Sequence, residues 1–437
     1  MRLAQLVLPL LVALAASAAA AAPLTPVEQR MVAAVESRRA ADVALLERLV
    51  NMNSGTLNLP GVEAVGRAVQ AEFEPLGFQV RWVPMAHTGR AGHLIAERRA
   101  PTGKRLLLIG HLDTVFEADS PFQRFVRRGD IAEGPGVNDM KGGIVVILTA
   151  LRAMQAAGVL DNADITVVLT GDEEKVGSPQ AVARADLLAA GRRADVALDF
   201  ESLFVEAGRD MGSIARRSSS SWTVRATGKA GHSSGIFSEG SGYGAAYELT
   251  RILDAFRRDL PEPSLTFNVG AILAGAAVTA APEGTGGQAT GKSNIIPGEA
   301  VAIGDMRTLS EEQSARVRGK MQAVVALHLP RTAAEITFSE GYPSMAPTAD
   351  ARAVLAKLNS VNRDLGYPEM PELDPLRRGA GDIAFVARDV DGLVGLGAAG
   401  MGAHAIGETV DLPSLERQAK RAALLMHRLA REPRPAS

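Results

Sequence analysis

Arg105-Leu106-Leu107-Leu108-Ile109-Gly110-His111-Leu112-Asp113-Thr114-Val115 runs from an apolar stretch directly into a histidine, with an aspartate two positions further on. A short apolar run with no polar interruption reads as a strand buried on both faces. Polar side chains placed just after such a strand fall at its C-terminal end, where open α/β sheets gather their functional groups. The pattern recurs along the chain. Asp139 stands in Gly136-Val137-Asn138-Asp139-Met140-Lys141-Gly142-Gly143, Glu174 in Gly171-Asp172-Glu173-Glu174, Glu201 in Asp199-Phe200-Glu201-Ser202, and His404 in Gly402-Ala403-His404-Ala405-Ile406-Gly407.

Working outward, strands are expected at 79–84, 93–98, 105–109, 165–170 and 196–200, with helical segments between several of them. The best helix covers 142–157, and the periodicity of 26–52 suggests an opening amphipathic helix pair. Alternating strands and helices predict an α/β fold with a mostly parallel sheet covered on both faces. From 218 to 338 the rhythm changes to strand, helix, strand, strand, helix, strand, the βαββαβ order of a ferredoxin-like unit. The Gly/Thr/Ala-rich tract at 282–292 reads there as turns or loop. His404 lies beyond this unit yet is needed beside His111, so the second domain is expected to be inserted into the first. The expected boundaries are 1–22 for a signal peptide, 23–213 and 341–437 for the two parts of the catalytic domain, and 214–340 for the insertion.

The chain has 437 residues, enough for two cores, with 47 basic and 49 acidic side chains. That balance creates no field favouring nucleic acid or an anionic membrane. Arg2, an apolar stretch to Ala16 and a run of small residues read as a secretory signal cleaved between Ala18 and Ala22. The expected location is therefore secreted and periplasmic, with no stable membrane insertion after cleavage. No cysteine is present, so export brings no disulfides.

Imidazole nitrogen and carboxylate oxygen suit zinc, and two zinc ions about 3.5 to 4 Å apart need a bridging carboxylate. Asp139 fits the bridge, with His111 and Glu201 completing one shell and Glu174 and His404 the other. Two Zn²⁺ per subunit are expected, and Co²⁺ or Mn²⁺ would fit similar shells. Asp113 is placed to accept the second imidazole N–H of His111. A carboxylate that is not a ligand must move protons beside a metal-activated water, and Glu173 fits that role. Spacing alone leaves the reverse assignment of Glu173 and Glu174 open. Taken together these features describe a two-zinc hydrolase.

In these motifs the sequence resembles the M20 family of zinc metallopeptidases, glutamate carboxypeptidases and acetylornithine or succinyl-diaminopimelate deacylases among them. The resemblance implies that His111, Asp139, Glu174, Glu201 and His404 bind zinc, that Glu173 is the general acid/base and that Asp113 orients a ligand. It also implies that the inserted domain pairs two subunits into a homodimer, with His232 of Gly228-Lys229-Ala230-Gly231-His232-Ser233-Ser234 reaching the other subunit's site. Asn294 and Arg307 resemble substrate-contacting residues. The expected substrate is a small peptide or N-acyl amino acid with a free carboxylate, cleaved as by a carboxypeptidase; an N-acyl-amino-acid deacylase and a non-catalytic zinc-bound peptide-binding protein are the alternatives. The chain departs from glutamate carboxypeptidase-like members at Gly341-Tyr342-Pro343, where Tyr342 replaces a frequent arginine. Arg377 and Arg378 are weaker candidates for holding a carboxylate. Glu408 reads either as support for the site or as a surface charge, and His87, His93, His328 and His427 as structural or exposed.

Overall fold

The computed structural model describes residues 23–281 and 286–435. The leader expected at 1–22 lies outside them, as do 282–285 of the loop tract. The first helix, α1 (Pro26–Val50), is one 25-residue element where a helix pair was expected. Thr25 and Glu28 close a reciprocal capping box at its start, and no glycine follows to break it before Asn51 caps its end. After α2 (Leu59–Phe73) come β1 (Gln79–Pro84), β2 (Gly92–Arg98) and β3 (Arg105–His111), then α3 (Lys141–Ala156), β4 (Asp164–Thr170) and β5 (Val196–Asp199).

The chain next builds a separate antiparallel sheet from β6 (Ser219–Gly228), β7 (Thr266–Gly275), β8 (Glu299–Arg307) and β9 (Thr332–Tyr342). Its spatial order is β7-β8-β6-β9, with α4 (Gly244–Asp259) and α5 (Glu311–Val325) between strands as the βαββαβ reading requires. Trp222, Phe256, Met306 and Met321 belong to a core of its own. Part of the tract read as loop instead forms a hairpin, Ala277–Ala280 against Gly287–Thr290. Alternating small residues satisfy the ladder there without any apolar signal for sequence reasoning to detect.

After α6 (Ala349–Asp364), a two-residue strand, β10 (Gly392–Leu393), returns to the edge of the first sheet, and α7 (Leu412–Ala430) completes the fold. That sheet has the order β1-β2-β4-β3-β5-β10. β3, β4, β5 and β10 are mutually parallel, whereas β2 is antiparallel to both neighbours, so the sheet is mixed though mostly parallel. The period-2 alternation of β3 explains its unbroken apolarity. Leu106 and Leu108 enter the core with α1, α3 and α7, while Leu107 and Ile109 enter the opposite core with Leu187, Ile383 and Val386. No helix among the described residues is long and apolar enough to cross a membrane.

Candidate metal centre

The parallel register of β3 with β4 pairs His111 with Thr170, and that with β5 pairs Ile109 with Asp199. The three strands therefore deliver His111, the loop carrying Glu173 and Glu174, and Glu201 to one end of the sheet. Asp139 arrives on the turn that opens α3. A small sheet supplies the last side chain: Thr409–Asp411 pairs with Gly400–Met401 on one side and with Ile131–Glu133 on the other. This hairpin brings His404 across the chain to Asp139. Gly397 allows the preceding segment to lie on the β5 end, because a Cβ there would sit 2.2 Å from the Phe200 carbonyl oxygen.

The convergence is tight. His111 Nε2 lies 3.2 Å from Asp139 Oδ1 and 3.4 Å from Glu201 Oε1. His404 Nε2 lies 3.2 Å from the other Asp139 oxygen, Oδ2, and 3.1 Å from Glu174 Oε2. Asp139 thus presents one oxygen to each histidine, and His111/Asp139/Glu201 and Asp139/Glu174/His404 form two groups, each with donor atoms within 4.8 Å of one another. Nitrogen and carboxylate donors in two adjacent groups that share Asp139 would suit a pair of divalent cations. His404 adopts φ 66°, a left-handed conformation costly for a residue with a Cβ and common where function dictates geometry.

The surrounding carboxylates favour the protonated form of both histidines. Burial opposes it, but the Asp113, Asp139 and Glu201 carboxylates keep the His111 pKa well above its usual value. Asp139 and Glu174 raise that of His404 to about 11. Burial pushes Glu174 up to about 7, with the Asp139 charge adding to it. An imidazolium must lose a proton to bind a cation, so metal affinity is expected to rise with pH. Glu173, close to His111 and Glu174, has its pKa pushed well above normal, first by burial and then by Glu201, Asp382 and Glu174.

Asp113 is buried and faces His111 Nδ1 with both its backbone and its carboxylate oxygens. The His111 Nδ1 hydrogen bond goes to the Asp113 backbone oxygen at 3.0 Å, with carboxylate Oδ1 further away at 3.4 Å. That carboxylate also accepts the N–H groups of Glu173 (3.0 Å) and Glu174 (3.1 Å) and the Thr56 hydroxyl (2.7 Å). It therefore fixes the direction in which the two glutamates leave the chain.

His232 and Asn294 lie together elsewhere, where Gly231–His232 pairs with Ile295–Ile296. Both are exposed, with His232 Nε2 3.3 Å from Asn294 Nδ2, and these contacts involve no residue of the His111 cluster. Arg307 is half-buried at the end of β8, its Nε 3.4 Å from Asp305 Oδ2. Arg377 is exposed and stacks on Phe204, whereas Arg378 is buried and donates to the Ser202 carbonyl at 2.5 Å. Arg378 therefore braces the Glu201 loop. His93 is structural: its Nδ1 accepts the Gly171 N–H at 3.1 Å and its Nε2 faces the Ala183 oxygen at 2.8 Å.

Three supports lay beyond sequence reasoning or were left undecided by it. Glu408 is fully buried, and its carboxylate accepts the backbone N–H groups of Gly136 (2.9 Å), Asn138 (2.7 Å) and Asp139 (2.8 Å). It clamps the Asp139 loop to the His404 hairpin. Arg216 lies 3.1 Å from Glu201 Oε2, which leaves Oε1 for the His111 side. Buried Arg184 is ion-paired to Asp172 and Asp382. None of these residues stands in a strand-end motif. Glu408→Gln keeps the shape but replaces an acceptor oxygen by a donor facing backbone N–H groups. Metal affinity or turnover is expected to fall about 10- to 100-fold, read by metal titration and steady-state kinetics. Parent-like values of both would remove Glu408 from the site.

A mixed, mostly parallel α/β sheet gathering two histidines and four carboxylates at its strand ends defines the class of metal-dependent hydrolases. The chain belongs to peptidase family M20/M25/M40, whose sequence model matches residues 107–428, and is a metallohydrolase acting on peptide or amide bonds. It is 30% identical over 404 residues, 90% of each chain, to carboxypeptidase G2 of Pseudomonas sp. (strain RS-16). It is 35% identical over 198 residues, 44% of this chain and 51% of the relative, to succinyl-diaminopimelate desuccinylase of Novosphingobium aromaticivorans. In fold it is similar to aminopeptidase PepT from Bacillus cereus, with a TM-score of 0.69 at 17% identity over 90% of this chain and 99% of that one.

Proposed function

We propose that the protein is a two-zinc carboxypeptidase that cleaves the amide bond before a residue with a free carboxylate, in small peptides or N-acyl amino acids. The observation that carries this reading is the Asp139 carboxylate, with one oxygen toward His111 and the other toward His404. The similarity to carboxypeptidase G2 along 90% of the chain supports the exopeptidase part. His111, Asp139 and Glu201 would hold one zinc and Asp139, Glu174 and His404 the other. When bound, the pair supplies Lewis acidity for the scissile carbonyl and lowers the pKa of water. Glu173 would take a proton from the water nucleophile and return it to the departing nitrogen, and its half-buried carboxyl, whose pKa burial pushes upward, suits the second half of the task. Asn294, from the subunit that supplies His232, and Arg307 would hold the substrate carboxylate.

The test incubates the protein with dipeptides, folyl-type glutamates and N-acyl amino acids, with and without chelator, and identifies products by mass. Chelator-sensitive release of one C-terminal or N-acylated amino acid is expected. Full metal occupancy with no cleavage of any compound would instead favour a peptide-binding protein.

Exposure of His232 and Asn294, whose mutual contact involves no residue of the His111 cluster, supports a homodimer in which each His232 serves the other subunit's site. There it would stabilise the oxyanion. Mixing inactive His232→Ala and Glu173→Gln proteins is then expected to restore activity, because one hybrid site regains both groups. A mixture that stays inactive after subunit exchange rules out the arrangement. The Arg2 leader supports periplasmic export, which predicts that protein from the periplasmic fraction begins between residues 19 and 23; unprocessed protein confined to the cytoplasm contradicts it.

A further inference from the structure

One group of buried polar residues below the centre has no part in the chemistry so far. The Arg184 guanidinium is fully buried, with Nη1 2.5 Å from Asp172 Oδ1 and Nε 2.8 Å from Asp382 Oδ1. The second oxygen of Asp382 accepts the Thr170 hydroxyl at 2.6 Å, and that of Asp172 accepts the Gly177 N–H at 2.8 Å. Arg184 Nη2 reaches the Asp172 carbonyl at 3.2 Å and the Tyr342 phenol oxygen at 3.3 Å. A guanidinium has only donors, so the phenol oxygen accepts from it. The phenol hydrogen is then free for its other partner, the carbonyl oxygen of Glu173. The ring is held in place against Phe385, at 5.2 Å between centroids.

Tyr342 is also the last residue of β9, the strand by which the chain leaves the second sheet. Its hydroxyl therefore joins three things: the Arg184 cluster, the strand arriving from the second sheet, and the peptide that follows Glu173. The N–H groups of Glu173 and Glu174 are fixed by Asp113 from the other side. With the Glu173 carbonyl anchored too, that peptide plane cannot rotate, and the two neighbouring carboxyls keep their different directions.

We propose that Tyr342 is a positioning residue for Glu173, holding the acid/base carboxyl in register with the metal centre and tying its placement to the seating of β9. The proposal rests on the reading of Glu173 as the acid/base. Tyr342→Phe tests it, since the ring and its packing on Phe385 remain while the hydrogen bond is lost. In the full-length metal-loaded protein kcat is expected to fall about tenfold, with KM and metal content at parent values. In the metal-free protein, amide hydrogen exchange is expected to accelerate in peptides covering 171–178 and nowhere else. In a Glu173→Gln background, adding Tyr342→Phe should lower the residual rate no further. Parent-like kcat with parent-like exchange at 171–178 overturns the proposal. So does faster exchange throughout the chain with a lowered melting temperature, which would make the bond a general stabiliser. Where the compound panel yields no substrate, the exchange result alone decides. The two readings fail separately: an active Glu173→Gln enzyme refutes the acid/base role, whereas an inactive one beside an unaltered Tyr342→Phe enzyme refutes only the positioning role.

Discussion

Glu173→Gln is expected to lower kcat by about 10²- to 10⁴-fold while leaving metal content and KM near the parent values. An amide has the size of the carboxyl but cannot accept a proton from water and pass it to the leaving nitrogen. Nothing that folds the loop is lost, because the residue's structural bonds are its backbone N–H to Asp113 and its carbonyl to Tyr342. Burial already disfavours charge on this carboxyl, so a neutral amide is expected to leave stability unchanged or slightly higher. Rate, metal analysis and melting temperature together separate this outcome from misfolding. A variant with parent turnover would shift the acid/base role to Glu174, the alternative that spacing alone permits.

Asp139→Asn is expected to have a larger effect still. One end of the amide is an NH₂ group, which cannot bind a cation, yet the two ends of this side chain face His111 and His404 respectively. The variant should hold at most one metal ion and lose measurable turnover. Stability supplies a second readout: a ligand at about a thousand times its Kd adds about 4 kcal/mol to a fold that binds it. Zinc should therefore raise the melting temperature of the parent clearly and that of the variant much less. Two equivalents bound at parent affinity would refute the bridging role of Asp139.

The site was legible in the sequence to the extent that its residues follow strand ends. His111 ends β3, Glu174 and Glu201 follow β4 and β5 within four residues, and a buried parallel strand is an unbroken apolar run. The βαββαβ unit was visible because its amphipathic periods are regular. The antiparallel placement of β2 was not, because pairing direction leaves no mark on side-chain periodicity. The paired strands 277–280 and 287–290, mostly Gly, Ala and Thr with a single valine, offered no apolar pattern to read.

The chain by itself determined which chemistry is available, since imidazole and carboxylate side chains at strand ends can hold hard and borderline cations and move protons. The tertiary structure alone decided how those groups are aimed. Glu408 is a charge beside a glycine until the pairing of 409–411 with 131–133 buries it under three N–H groups of the Asp139 loop. Arg184 is an arginine among alanines until folding places Asp172, Asp382 and Tyr342 around it. The physical reason is one of distance. Ligand identity is a local property of the sequence, whereas orientation comes from hydrogen bonds and ion pairs between residues up to hundreds of positions apart, and these exist only once the sheet has closed.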